Sequence, residues 1–237
     1  MDIEPTPHPR VAFFGGSFDP PHLGHLEVAR AAQAALGLDA VLFAPVGEQP
    51  LKPQGSTAPF AHRLAMTRLA IAGDPAFAVS LADAPKPSGA PNYTFDTLFA
   101  LRAQLPPDGA LFCLMGADAF ACLRRWHRAA EIPFLAPLIV ASRPGEQLDD
   151  LKALLPDGVT IETPPSPTEQ PSESQISLLR FTLRNPSGRQ SPFYLLPGLD
   201  IDISASQIRG RVRAQTPLPA QLPPSVSEYI RAHRLYC

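Results

Sequence analysis

Three cysteines among 237 residues, Cys113, Cys122 and Cys237, form no CxxC pair and leave an odd count. A disulfide framework and a zinc knuckle are therefore not indicated. No run of about 18 apolar residues occurs, so no membrane span is expected. The opening MDIEPTPHPR is acidic and proline-rich, with no apolar h-region. A soluble, cytoplasmic chain is the expectation. Net charge is also lacking, at −2, which argues against a generic nucleic-acid or membrane-surface binder. Lysine is scarce: Lys52, Lys86 and Lys152 stand against seventeen arginines, and there is one tryptophan, Trp126. No internal repeat is present.

Proline is in excess, at 30 of 237 residues or about 13%, against roughly 5% in ordinary chains. The hydrophobic share is nevertheless 45%, enough for a packed core. The prolines should therefore lie between elements. The length suits one domain, expected to span residues 1–237. Apolar runs at residues 11–14, 40–45, 111–115 and 137–142 read as buried strands. Further strands are expected at 76–81, 159–162 and 193–196. Helical spacing marks residues 23–36, closed by Gly37, then 62–72, 94–105, 119–127, 206–214 and 225–233. Strands alternating with helices of this length predict an α/β fold with a doubly wound, mostly parallel sheet. Residues 163–192, rich in Pro, Ser and Gln around the apolar piece SLLRFTL, read as a surface insertion.

In such a sheet a ligand sits beyond the carboxyl ends of the strands, at the topological switch point. The first loop there is GGSFDPPHLGH, residues 15–25, neither a GxGxxG fingerprint nor a P-loop. Gly15 and Gly16 let the backbone approach a phosphate closely. His22 and His25, spaced i, i+3, project from one face of the following helix's first turn. A helix N-terminus stabilises an anion, and two imidazoles there add directional donors. One histidine would read as a satisfied polar residue; the pair after a glycine turn reads as phosphate chemistry. A zinc site would need further ligands that the sequence does not mark.

GGSFDPPHLGH resembles the signature of the nucleotidyltransferase superfamily that uses an HxGH motif, implying a Rossmann-like nucleotidyltransferase fold. Residues 203–209, ISASQIR, resemble its second signature, ISxTxxR, with serine in place of threonine. Physically, Ser204 or Ser206 can cap the helix that follows, and the planar fork of Arg209 suits phosphate. Residues 92–98, NYTFDTL, resemble the SYTxxTL segment of bacterial nicotinate-nucleotide adenylyltransferases. Gly116-Ala117-Asp118 followed by Trp126 resembles that family's GxDxxxxxxxW, and residues 143–145 its RPG turn. The resemblance runs from Val11 to about Tyr236, with 163–192 unmatched. Where that family shows PPHK, this chain reads Gln49-Pro50-Leu51-Lys52, keeping the lysine and losing the histidine; Asn92 replaces the usual serine.

The resemblance implies adenylyl transfer from ATP to nicotinate mononucleotide, giving nicotinate adenine dinucleotide and pyrophosphate. Mg²⁺ would accompany ATP, with no metal site of the protein's own. His22, His25, Lys52 and Arg209 would be catalytic. Gly15, Gly16, Ser17, Phe18, Gly116, Asp118, Ile203, Ser204 and Ser206 would join them around ATP. Tyr93, Thr94, Trp126 and Arg143 would hold the mononucleotide. Trp126 offers a flat face for a pyridine ring, with a core tryptophan on a helix as the alternative. Tyr93 and Thr94 fall at a loop-to-helix junction with free N–H groups. Asp118 suits ribose hydroxyls, or a buried ion pair with an arginine. A sister enzyme acting on nicotinamide mononucleotide or phosphopantetheine is an alternative, as is a nucleotide-binding protein without turnover. No nucleic-acid or membrane partner is expected, and self-association stays open.

Overall fold

A computed structural model of the chain describes residues 8–52, 54–142, 151–162, 178–199 and 203–237. These build one eight-stranded sheet in the order β3-β2-β1-β4-β5-β8-β7-β6. Its strands are β1 (Arg10–Gly16), β2 (Ala40–Pro45), β3 (Phe77–Val79), β4 (Ala110–Gly116), β5 (Leu138–Ala141), β6 (Thr160–Glu162), β7 (Leu179–Arg184) and β8 (Gln190–Leu196). The pairings from β3 across to β8 are all parallel, whereas β7 runs antiparallel to both β8 and β6. The order reverses between β1 and β4: the chain first winds outward through β2 and β3, then returns to build on the other side of β1. The expected doubly wound, mostly parallel α/β sheet is present, with an antiparallel edge.

Helices cover both faces. They are α1 (Leu23–Leu36), α2 (Phe60–Ile71), α3 (Thr94–Gln104), α4 (Ala117–Ala121), α5 (Ile132–Leu135), α6 (Leu151–Leu154), α7 (Ala205–Arg213) and α8 (Pro224–Ala232). Side chains alternate across β1. Ala12 and Phe14 face the layer that holds Leu26, Ala29 and Ala32 of α1, while Phe13 faces Phe95, Leu98 and Leu101 of α3. Both faces of the central strands are thus buried, which is why they read as continuous apolar runs. Gly37 closes α1 in the left-handed conformation, φ 56°, with Leu38 N–H bonding back to the Gln33 carbonyl. A third apolar cluster joins α2, α7 and α8 through Met66, Ile208, Val226 and Ile230. No helix among the described residues is long and apolar enough to cross a membrane.

Two expectations change. The helix expected over residues 119–127 is instead α4 followed by a 3₁₀ turn, Leu123–Arg125, so Trp126 stands just after a helical end. The 3₁₀ turn ends at Trp126, whose extended backbone (φ −78°, ψ 152°) leaves the helical path. Of the stretch 163–192 read as an insertion, residues 163–177 lie outside the described residues. Residues 179–184, by contrast, are strand β7, which pairs with β8 along its whole length. The serine and proline around SLLRFTL mask a strand that is mostly half-exposed, because it lies toward the sheet's edge.

Candidate active site

A cleft of about 760 Å³ opens beyond the carboxyl ends of β1 and β4, at the switch point. That volume lies within the range of small-molecule sites, roughly 300–1,000 Å³. It collects Gly15, Gly16, Ser17, Phe18, His22, His25, Lys52, Tyr93, Thr94, Gly116, Asp118, Trp126, Ile203, Ser204, Ser206 and Arg209 along its walls. Every site residue expected from the sequence therefore converges on one cavity, except Arg143, which lies outside the described residues.

One wall is the start of α1. His22 is the N-cap residue in extended backbone, and His25 is the third residue of the helix. The His22 N–H donates to Nδ1 of His25 at 3.1 Å, and the two rings lie 3.8 Å apart. An Nδ1 that accepts leaves the proton on Nε2 of the neutral imidazole. Desolvation first, and the neighbouring His22 second, hold the His25 pKa well below its ordinary value. The ring is braced edge-on by Phe18, centroids 5.0 Å apart. Phe18 itself is buried among Phe14 and Phe43 and takes φ 46°, a left-handed conformation unusual for a non-glycine residue. The aromatic packing that over-determines Phe18 also fixes the imidazole.

A second wall is cationic. Lys52 Nζ donates to Ser17 Oγ at 3.0 Å, and Ser17 Oγ donates to Gln49 Oε1 at 3.2 Å. Lys52 is exposed as a residue, yet partial burial of its ammonium and the nearby Arg209 lower its pKa, with Asp19 opposing. Opposite, Ser204 caps α7 by accepting from Gln207 N–H at 3.2 Å, and Gln207 Oε1 reaches back to Ser204 N–H at 2.8 Å. Arg209 Nη1 donates to the Asp19 carbonyl at 2.7 Å and Nη2 to Ser206 Oγ at 3.1 Å. Of the two candidate caps, Ser204 is the cap and Ser206 orients the arginine.

The remaining wall is aromatic. Tyr93 is the N-cap residue of α3, so the N–H groups of the first turn, starting at Thr94, lack intrahelical partners. Trp126 is half-buried, packed on the core by one side and lining the cleft. The Tyr93 and His127 rings lie 4.6 Å apart beside it. Asp118 is exposed at the rim, which removes the reading of it as a buried ion pair. A Cβ at Gly116 would meet nothing within 4 Å, so packing of the protein alone does not demand glycine there.

Several organising residues carry no local sequence signal. Arg63, buried in what reads as a surface helix, donates to the carbonyls of Ala58, Ser17 and Val46. Asp19 accepts from the N–H groups of Thr57 and Ala58. Asp83, 4% exposed, accepts from Thr97 Oγ1 at 2.5 Å and also faces the cleft. Asn92 ties down the loop ahead of Tyr93 by accepting from Glu48 N–H and donating to the Ala84 carbonyl. That junction requires glycine at 47: a Cβ there would stand 2.5 Å from the Pro85 nitrogen. A polar residue at 92 was legible; the long-range partners were not.

The cytidylyltransferase-like family model matches residues 13–211. A protein of Roseiflexus sp. (strain RS-1), named "Probable nicotinate-nucleotide adenylyltransferase", is 39% identical over 226 residues, 95% of this chain and 97% of its own length. One with the same name from Pelobacter propionicus is 34% identical over 227 residues, 96% of this chain and 98% of its own. In fold, the chain resembles the solved structure titled "Plasmodium falciparum nicotinic acid mononucleotide adenylyltransferase complexed with NaAD". The TM-score is 0.68 at 16% identity, covering 97% of this chain and 98% of that one.

Proposed function

The chain belongs to the cytidylyltransferase-like family, and from its relatives in that family and its cleft we infer that it transfers the adenylyl group of ATP to nicotinate mononucleotide. The products are nicotinate adenine dinucleotide and pyrophosphate, a step of NAD biosynthesis. The names of its full-length relatives support this reaction. The observation that carries the reading in this chain is the single cleft uniting His22 and His25 with Arg209 on one side and Trp126 on the other.

A phosphate oxygen of the mononucleotide attacks the α-phosphorus of ATP, a new O–P bond forms, and the bond to the bridging oxygen of pyrophosphate breaks. No covalent enzyme intermediate is required, so the protein positions the reactants and stabilises charge. Nε2–H of His25 donates to the α-phosphate as its charge develops, with His22 beside it. Lys52 and Arg209 neutralise the departing pyrophosphate. The amides at the start of α3 receive the nicotinate carboxylate, and Trp126 stacks on the pyridine ring. ATP arrives as its magnesium complex. Among the described residues there is no group of three or more His, Cys, Asp or Glu able to hold a metal; in this reading the ion is carried in by the substrate.

Pyrophosphate release with MgATP and nicotinate mononucleotide tests the reading directly. Nicotinamide mononucleotide and phosphopantetheine serve as competing acceptors. The expected result is turnover with the acid at the highest kcat/KM. Higher kcat/KM for another acceptor reassigns the substrate, and no release with any acceptor removes the enzyme reading.

A further inference from the structure

Within that reaction, we propose that Tyr236, next to last in the chain, is a positioning residue for the triphosphate side of the cleft, acting through Asp19. Asp19 sits in the phosphate loop, 4% exposed, and its carboxylate gathers donors from two distant segments. Tyr236 Oη donates to Oδ1 at 2.8 Å, Ala58 N–H to Oδ1 at 3.1 Å and Thr57 N–H to Oδ2 at 2.6 Å. The same residue's carbonyl accepts Arg209 Nη1. One loop residue thus joins the C-terminal segment to the arginine assigned to the leaving pyrophosphate. A shift of the Asp19 carboxylate moves its own carbonyl, and with it the guanidinium.

The C-terminal backbone is bent to make this contact. Arg234 and Tyr236 take φ 50° and 68°, two non-glycine residues in the left-handed region within three positions. Such conformations persist where the surroundings over-determine them, and they collect at functional sites. Here the surroundings are the apolar cluster of α2, α7 and α8, which seats the Tyr236 ring with Leu235 and Ile208, and the Leu235 N–H bond to the Ile230 carbonyl at 3.1 Å. A phenylalanine would fill that seat equally well. The hydroxyl is what reaches the phosphate loop, and burial together with Asp19 raises its pKa, so it stays a donor.

Tyr236→Phe therefore separates seat from reach. With thermal stability measured alongside, KM for ATP should rise on the order of tenfold, below the hundredfold that a 1 Å misplacement costs. KM for the mononucleotide should move by less than about twofold, since among the described residues the Tyr236 hydroxyl bonds to Asp19, on the other side of the cleft from Trp126. Asp19→Asn weakens the same bond from its other end and should move ATP in the same direction; it carries the test if Tyr236→Phe does not fold. Calorimetric binding of a non-hydrolysable ATP analogue, with no mononucleotide present, should weaken by about the same factor. Unchanged analogue affinity and ATP KM in folded Tyr236→Phe overturn the positioning role, as do equal changes in both KM values. A wild type that binds the analogue but releases no pyrophosphate overturns the reaction instead, and the binding measurement then decides the role of Tyr236 alone.

Discussion

The backbone N–H of His22 donates to Nδ1 of His25 at 3.1 Å, so the cap of helix α1 fixes which nitrogen of the second imidazole carries its proton. A protonated ring could not accept that bond. Burial in the cleft and the neighbouring imidazole favour the same neutral form. One wall of the cleft is thus a neutral, directional donor on a helix N-terminus, and the formal cations, Lys52 and Arg209, line the same cavity. In the proposed reaction the imidazole would face the α-phosphate and the cations the leaving pyrophosphate, which would place charge where it develops during the reaction.

Loss of the His25 donor should show in kcat. In the proposed reaction His25→Ala would remove one preorganised hydrogen bond to a phosphate whose charge grows in the transition state, an effect worth about 10²–10³ in rate. Steady-state pyrophosphate release on a variant with wild-type circular dichroism checks it. A rate within a few-fold of wild type assigns the developing charge to other groups.

The same imidazole makes folding pH-dependent. Its pKa is depressed in the folded state, so below the ordinary value of about 6.5 the unfolded chain takes up a proton that the folded chain refuses. Stability from this group is present above pH 6.5 and is lost as pH falls. The fold should therefore be less stable at pH 5.5 than at pH 7.5, with the ring's partial exposure at the cleft moderating the loss. Urea unfolding at the two values measures it. His25→Gln should flatten this part of the profile; an equally steep profile in the variant places the dependence elsewhere.

If the proposed stacking on the pyridine ring holds, Trp126 distinguishes the two substrates. A stacked base contributes roughly 1–3 kcal/mol on an aromatic side chain, so Trp126→Ala should raise KM for the mononucleotide by about tenfold or more while KM for ATP changes little. Equal increases would return the indole to a purely packing role, for which its contact with the core cluster also qualifies it.

Legibility in the sequence followed distance along the chain. Strands β1, β2 and β4 were readable because both their faces are buried and no polar residue interrupts them. The histidine pair was readable because cap, ring contact and helix start lie within four residues. Trp126 lines the cleft, yet the apolar spacing around it conceals that α4 ends at Ala121 and gives way to a 3₁₀ turn. The Asp19–Tyr236 bond spans 217 positions, and no periodicity can announce it. Arg63 fits an amphipathic surface pattern, and only the folded chain shows its guanidinium inside, on three carbonyls. Strand β7 was hidden by composition, since its partly exposed place next to the edge strand β6 tolerates Arg180 and Arg184.

Asp83 supplies a pH dependence of the opposite sign to that of His25. Burial raises its carboxyl pKa, the Thr97 hydroxyl and Lys86 only partly offsetting this. It also lies near Cys113, whose thiol burial and Asp83 together push up to about 12. A carboxyl whose folded pKa exceeds its unfolded one binds more protons when folded. Its ionisation therefore costs stability as pH rises from about 4 through the folded pKa. Asp83→Asn keeps the shape and an oxygen to accept from Thr97 Oγ1, and it removes the buried charge. The variant should match or exceed wild-type Tm at pH 7, and its advantage should shrink as pH falls toward 4, where the wild-type carboxyl is protonated. Calorimetric melting at both pH values checks this. A variant less stable by the same margin at both values would mean that Asp83 stabilises the fold by geometry alone, with its charge contributing nothing.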